Sequence, residues 1–309
     1  MKPLAKQIAT FLCLVFLFSS IPYFLMINSG HIGAGNGLVV RLVMWCPAAA
    51  ALVTCTIFRV DVGTLGWNWR PVRFEALGYL LPLLYAIPVY VVVWISVPGS
   101  FALAAFEQAA SSSLSLSSSP HFATFGLMIP MLATLGVIGS VANALGEEIG
   151  WRGFLLPRLT EQFGFTVGCL VSGMVWAAWH YPGLLWADYN AGTKPAYALT
   201  CFTLMVIADA FIMGWLRLKS GSLWPCALLH ASHNLFIQAI LDGMTAASGR
   251  TLYYTTEFGC GHVLTVGAVA AYLWTRRGEL SARELVESEQ TMPTSQSFND
   301  DADGALKQS

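Results

Sequence analysis

Charged residues are what this chain most lacks. Asp, Glu, Lys and Arg make up 11% of its 309 residues, against roughly 25% in a soluble globular domain. None of the four occurs between Glu107 and Glu147. With 56% hydrophobic residues and a mean hydropathy of +0.61, this scarcity excludes an ordinary soluble domain. The net charge of −1 comes without a basic stripe, which excludes a nucleic-acid partner, since such binding needs clustered Lys and Arg. Paired cysteines are missing too. Cys13, Cys46, Cys55, Cys169, Cys201, Cys226 and Cys260 stand singly, mostly in apolar runs, with no C-x-x-C. Neither a disulfide scaffold nor a zinc knuckle is indicated, and the thiols read as small packing residues. No clear internal repeat is visible, which weighs against a transporter built from duplicated halves.

What is present is a series of apolar runs. They extend from Ile8 to Ile27, from about Gly37 to Phe58, Ala76 to Val97, Phe122 onward, Phe165 to Trp186, Pro195 to Leu216, Leu223 to Leu241, and Phe258 to Trp274. Each is near the ~20 residues that a helix needs to cross a bilayer. Helices are the expected form, because lipid offers no partner for an open backbone. The fold class is therefore an all-α polytopic membrane protein of about eight transmembrane helices. The first run exceeds the 7–15 apolar residues of a signal peptide and is expected to be retained as a helix. Gly30, Gly33, Gly35 and Gly37 mark a loop, as does the serine-rich stretch Ser111 to Ser119.

Loop charges set the orientation. Lys2, Lys6, Arg59, Arg70, Arg73, Arg158, Arg217, Lys219, Arg276 and Arg277 alternate with connections that hold only Arg41 at an edge, Lys194 and Arg250. Eight spans in the cell membrane with both termini cytoplasmic fit this asymmetry. Residues 1–277 form the transmembrane domain, and 278–309, polar and acidic, are expected as a disordered cytoplasmic tail.

The charge-free stretch ends abruptly at Gly146-Glu147-Glu148-Ile149-Gly150-Trp151-Arg152. Ionisable groups at membrane depth are costly and mark functional sites. On a helix, Glu148 and Arg152 are four apart and can pair, whereas Glu147 points about 100° away. If that helix ends near Pro157-Arg158, Glu147 lies ~15 Å inside it. His180 follows in Trp176-Ala-Ala-Trp179-His180, ~24 Å from the turn near Gly164, so tilt or a longer helix end must absorb the difference. His230-Ala-Ser-His233-Asn234 then places His230 and Asn234 on one face, with His230 ~14 Å from Gly221.

Three apolar helices thus each carry a polar group. A carboxylate can take a proton from water and return it to a leaving amine, while His and Asn can donate hydrogen bonds to an oxyanion. Equally, Glu147, His180 and His230 match a zinc-ligand set with an open fourth position. Both schemes hydrolyse a peptide in an intramembrane cavity. Alone, each His also fits a packed, hydrogen-bonded residue. Asp209, a further acid in the sixth span, reads as a helix-bridging group.

Glu147-Glu148-x-x-x-Arg152, the aromatic-x-x-x-His180 pattern and His230-x-x-x-Asn234, in this order, resemble the three motifs of the CAAX protease and bacteriocin-processing (CPBP, or Abi) family. The text Glu-Glu-Ile-Gly-Trp-Arg-Gly-Phe-Leu-Leu-Pro-Arg is similar to that of its bacterial members, and the resemblance covers about residues 122–240. It implies an intramembrane endopeptidase. Glu147 would be the base acting with His180 on water, and His230 and Asn234 the oxyanion site. Glu148 and Arg152 would hold the site together, and His233 is an extra imidazole. The family name implies a peptide or prenylated protein substrate at the lipid membrane. It leaves open whether zinc or another divalent metal is bound or the chemistry is metal-independent. Trp176 stands where the second motif often has Phe.

Two rivals accompany this reading: a catalytically silent scaffold or immunity protein, and a proton-coupled transporter using Glu147, Glu148, His180 and Asp209 as a relay. Other intramembrane proteases fit less well, since neither H-E-x-x-H nor G-x-S-G occurs.

Overall fold

A computed structural model describes residues 3–280 except 70 and 117. Lys2, Arg70 and the acidic tail from 281 onward lie outside the described residues. Helix α1 spans Pro3–Ser29 and α2 Leu38–Phe58, joined by the glycine loop, where Gly37 at φ 78° starts α2. Helix α3 spans Val72–Ser96 and the short α4 spans Leu103–Ser113. Helix α4 therefore reaches into the serine-rich stretch expected to be loop; its apolar Phe106 and Ala110 are buried and hold it down.

A helical run over Phe122–Trp186 follows. It reverses at Gly164, whose φ of 77° and ψ of 169° lie in a region that only glycine enters at little cost. The two limbs are α5, residues 122–163, and α6, residues 165–186. Helix α5 is loosened into π-helical turns at Phe122–Met128, Leu132–Gly136 and Ile149–Leu155. Helix α7 covers Pro195–Ser220. Helix α8 begins at Trp224–His233 and continues as a π-helical stretch, Asn234–Leu241. Helix α9 is Cys260–Thr275.

The protein is all-α; among the described residues the only β pairing is an isolated bridge between Phe101 and Thr245. Among the described residues five helices are long and apolar enough to cross a membrane, the fourth being the 65-residue run that turns at Gly164. Large apolar side chains such as Leu17, Ile21, Leu84, Ile95 and Leu264 stand outward, Ile95 at 80% exposure. In water such a surface would aggregate; in lipid it is the solvated face.

Two local features seat the acidic motif. Gly146 and Gly150, four residues apart on α5, lie against α2. A Cβ at Gly146 would come within 2.6 Å of the Met44 carbonyl oxygen, and one at Gly150 within 2.5 Å of the Pro47 Cβ. Small residues at this spacing let helices approach closely in a membrane. The second feature is the length of α5. The helix runs past Pro157-Arg158 to residue 163, and the chain turns at Gly164, where the sequence places the turn. The π-helical turn Ile149–Leu155 just before Pro157 is the kind of local adjustment by which a helix passes a proline that lacks an N–H. Glu147 is then 17 residues before Gly164 and His180 is 16 after it, so both lie ~25 Å from the turn at 1.5 Å per residue. The depth mismatch computed from the shorter helix disappears.

Candidate active site

Glu147 is almost fully enclosed. It is 1% exposed, and its Oε2 accepts a hydrogen bond from Trp176 Nε1 at 2.7 Å. Trp176 also fixes the next residue of the set. Its backbone carbonyl, one helical turn before His180, takes the His180 Nδ1 at 2.9 Å. In the neutral imidazole this places the proton on Nδ1 and leaves Nε2 as an acceptor. One tryptophan therefore orients both a carboxylate and an imidazole.

Glu148 has a different job. Its Oε1 accepts from Arg152 NH1 at 3.1 Å and lies 2.9 Å from His230 Nδ1. The i, i+4 contact expected from sequence is present, and it extends to a third residue on α8. Both partners are buried, Arg152 and Glu148 at 0% exposure. Arg152 is further braced by its guanidinium lying 3.9 Å from the Trp176 ring centroid, and its carbonyl accepts from Arg217 Nε at 3.0 Å. Cation–π contact of this kind strengthens as water is removed. The fixed charges Glu148 and Arg152 thus neutralise each other behind the site and leave His230 Nε2 as the ring nitrogen without a side-chain partner.

All of this surrounds a cavity of about 330 Å³ whose wall includes Glu147, His180, His230, His233 and Asn234. That volume is at the lower end for ligand pockets and is several times the ~30 Å³ a water occupies. Glu148 and Arg152 are absent from the wall, which divides the motif into one residue that faces the cavity and two that support it.

A family model described as "Type II CAAX prenyl endopeptidase Rce1-like" matches residues 129–236. A similar curated protein is CAAX prenyl protease 2 of Methanococcus maripaludis, 26% identical over 78 residues, which cover 24% of this chain and 28% of that protein. Over this segment the chain is similar to CAAX proteases. The alignment spans about a quarter of the curated relative's length.

The matched segment contains every site residue singled out from sequence: Glu147, Glu148, Arg152, His180, His230, His233 and Asn234. The structure brings Glu147, His180, His230 and Asn234 to one cavity. His233 also lines it, but its Nδ1 is 2.7 Å from the Tyr85 hydroxyl, and its buried Nε2 has no partner. Asp209 lines the same cavity at 3% exposure, with Oδ1 unpartnered; the helix-bridging contact expected of it is not formed by that atom.

Three further wall residues escaped the sequence reading. Gln238 Nε2 donates to Asn234 Oδ1 at 3.3 Å and to Glu257 Oε1 at 3.2 Å, and Tyr189 also reaches Glu257. Gln238 was legible as the next residue on the His230/Asn234 face. Glu257 carried a signal as well, being the sole carboxylate between Asp242 and Glu279, but it sits in a connection rather than in a span.

The donor set was tested against a metal. Glu147, His180 and His230 share the cavity wall, yet among the described residues no three His, Cys, Asp or Glu side chains cluster as an ion site. One oxygen of the Glu147 carboxylate, Oε2, accepts from Trp176 Nε1, and the roles below are those the side chains themselves can play.

Proposed function

We propose that this chain is an intramembrane endopeptidase in which Glu147 and His180 activate a water for attack on a peptide bond. The observation that carries the reading is the shared use of Trp176, whose indole N–H holds Glu147 while its carbonyl holds His180, at the wall of one cavity. Glu147 takes a proton from the water. His180 Nε2 accepts the second water hydrogen and aims the oxygen. The water oxygen bonds to the carbonyl carbon, and the π electrons move onto the carbonyl oxygen. Asn234, whose Oδ1 is already engaged by Gln238, has its amide N–H free for that oxyanion. A His230 protonated on both nitrogens donates Nδ1–H to Glu148 and Nε2–H to the same oxyanion. Collapse breaks the C–N bond, and Glu147 returns its proton to the leaving amine. The scheme needs no metal.

The substrate is a peptide or protein segment that reaches the cavity from the membrane. The name of the archaeal relative refers to prenylated CAAX proteins, and a lipid-modified C-terminus is one substrate to test. The protein is proposed to lie in the cell membrane with both termini cytoplasmic. In support, Lys6, Arg59, Arg73, Arg158, Arg217, Lys219, Arg276 and Arg277 all fall at the same end of the alternating helices. The decisive experiment compares cleavage products of a membrane proteome exposed to wild-type protein and to Glu147→Gln or His180→Ala. Both variants are expected to fold in detergent and to cleave nothing. Cleavage that survives in both would overturn the mechanism.

A further inference from the structure

The cavity wall carries an uneven distribution of charge that the hydrolytic scheme does not use. Three carboxylates line it, Glu147, Asp209 and Glu257, and no Lys or Arg does. Arg152, absent from the wall, pairs with Glu148 and stacks on Trp176. Of the three acids, the scheme employs only Glu147. Asp209 is 3% exposed and its Oδ1 has no hydrogen-bond partner. A buried carboxylate oxygen left without a donor costs on the order of 1–3 kcal/mol or more and is rarely kept unless something supplies the donor. Glu257 is 7% exposed, held on one oxygen by Gln238. Gln238 uses the same amide nitrogen to reach Asn234, so Glu257 stands two hydrogen bonds from the residue assigned to the oxyanion. Both Gln238 and Glu257 lie beyond the 129–236 segment shared with the family model.

We propose that Glu257, with Asp209, forms a subsite for a cationic side chain of the substrate, so that the cavity selects a peptide segment with a basic residue beside the cleaved bond. This inference rests on the endopeptidase reading for the location of the cleaved bond, but not for the binding. An ammonium or guanidinium supplies the donors that Asp209 lacks and satisfies Glu257 in a water-poor space, where charge-assisted hydrogen bonds are strong.

The test measures binding, so that it is independent of turnover. Full-length protein in detergent is titrated with fluorescein-labelled, C-terminally amidated apolar peptides in which lysine, norleucine or glutamate is scanned through six central positions. In at least one register, lysine is expected to bind at least tenfold more tightly than norleucine, with glutamate the weakest. Glu257→Gln should reduce the lysine preference at least fivefold while leaving the norleucine Kd within twofold; Asp209→Asn should act in the same direction. Equal binding of the lysine and norleucine peptides by wild-type protein would overturn the proposal without any variant having to fold. Selective binding with no cleavage of any peptide would overturn the endopeptidase reading and leave the subsite standing. Cleavage with no charge preference would do the reverse.

Discussion

Trp176 Nε1 donates to Glu147 Oε2 at 2.7 Å, across the gap between the two limbs of the helical hairpin that turns at Gly164. The aromatic residue before His180 is therefore a polar partner of Glu147 and not only packing. Trp176→Phe keeps the ring under Arg152 but removes the N–H. It should lower kcat/KM by roughly 10- to 100-fold, in line with about 1.5–3 kcal/mol for a hydrogen bond to a charged group, with little change in folded yield. Steady-state cleavage of one peptide by the two proteins checks this, and undiminished activity would show that the bond is dispensable.

Arg152→Ala acts on stability first. It leaves Glu148 buried with only His230 beside it, and breaking a buried pair by removing one partner costs ~3–5 kcal/mol. The melting temperature in detergent should fall clearly. The double variant Glu148→Gln with Arg152→Met should recover part of the loss, because it no longer leaves one charge alone. An unchanged melting temperature in Arg152→Ala would argue that the pair is not structural.

For the metal question, active protein should retain its cleavage rate after exhaustive chelation, and elemental analysis should find less than one equivalent of any transition metal. The basis is the donor geometry: Glu147 is engaged by Trp176, and no three ligating side chains cluster among the described residues. Loss of activity on chelation, restored by adding one equivalent of zinc, would replace the metal-free scheme.

A clasp between two exposed loops gives a pH prediction. Asp188 Oδ2 is 2.9 Å from His31 Nδ1, and its Oδ1 accepts from the Ile32 backbone N–H at 2.9 Å. The slight burial of Asp188 works against its ionised form, but the hydrogen bonds from His31 and Ile32, with the charge of His31, outweigh it and hold the carboxyl below its usual range. A depressed folded pKa means that the contribution is fully present above the ordinary aspartate pKa and is lost as pH falls through the lower, folded value. Ile32 and Gly33 line the cavity, so releasing the clasp loosens its rim. Hydrogen exchange across residues 30–37 should speed up on acidification through that range in wild type. Asp188→Asn should exchange fast at every pH; a pH-independent wild-type loop would show that the clasp does not restrain it.

Much of this protein is written locally. The apolar runs and the scarcity of charge fix an all-helical membrane fold, because lipid permits few other backbones. The i, i+4 spacing of Glu148 and Arg152 fixes their pairing, and the three ordered motifs point to the family. The turn near Gly164 was legible, but the depth of Glu147 was not, because a helix end at Pro157 was as compatible with the sequence as one that passes it through a π-helical turn. Only the tertiary structure set Glu147 and His180 at equal depth, made Trp176 the link between them and tied His230 to Glu148. It also turned Asp209 and Glu257 into the wall of one cavity. The bonds from Trp176 to Glu147 and from His230 to Glu148 join residues 29 and 82 positions apart in the chain, decided by which helix faces pack together. Sequence spacing reports the faces of one helix, whereas the choice of neighbour depends on close approaches such as Gly146 and Gly150 against α2, which a single sequence does not spell out.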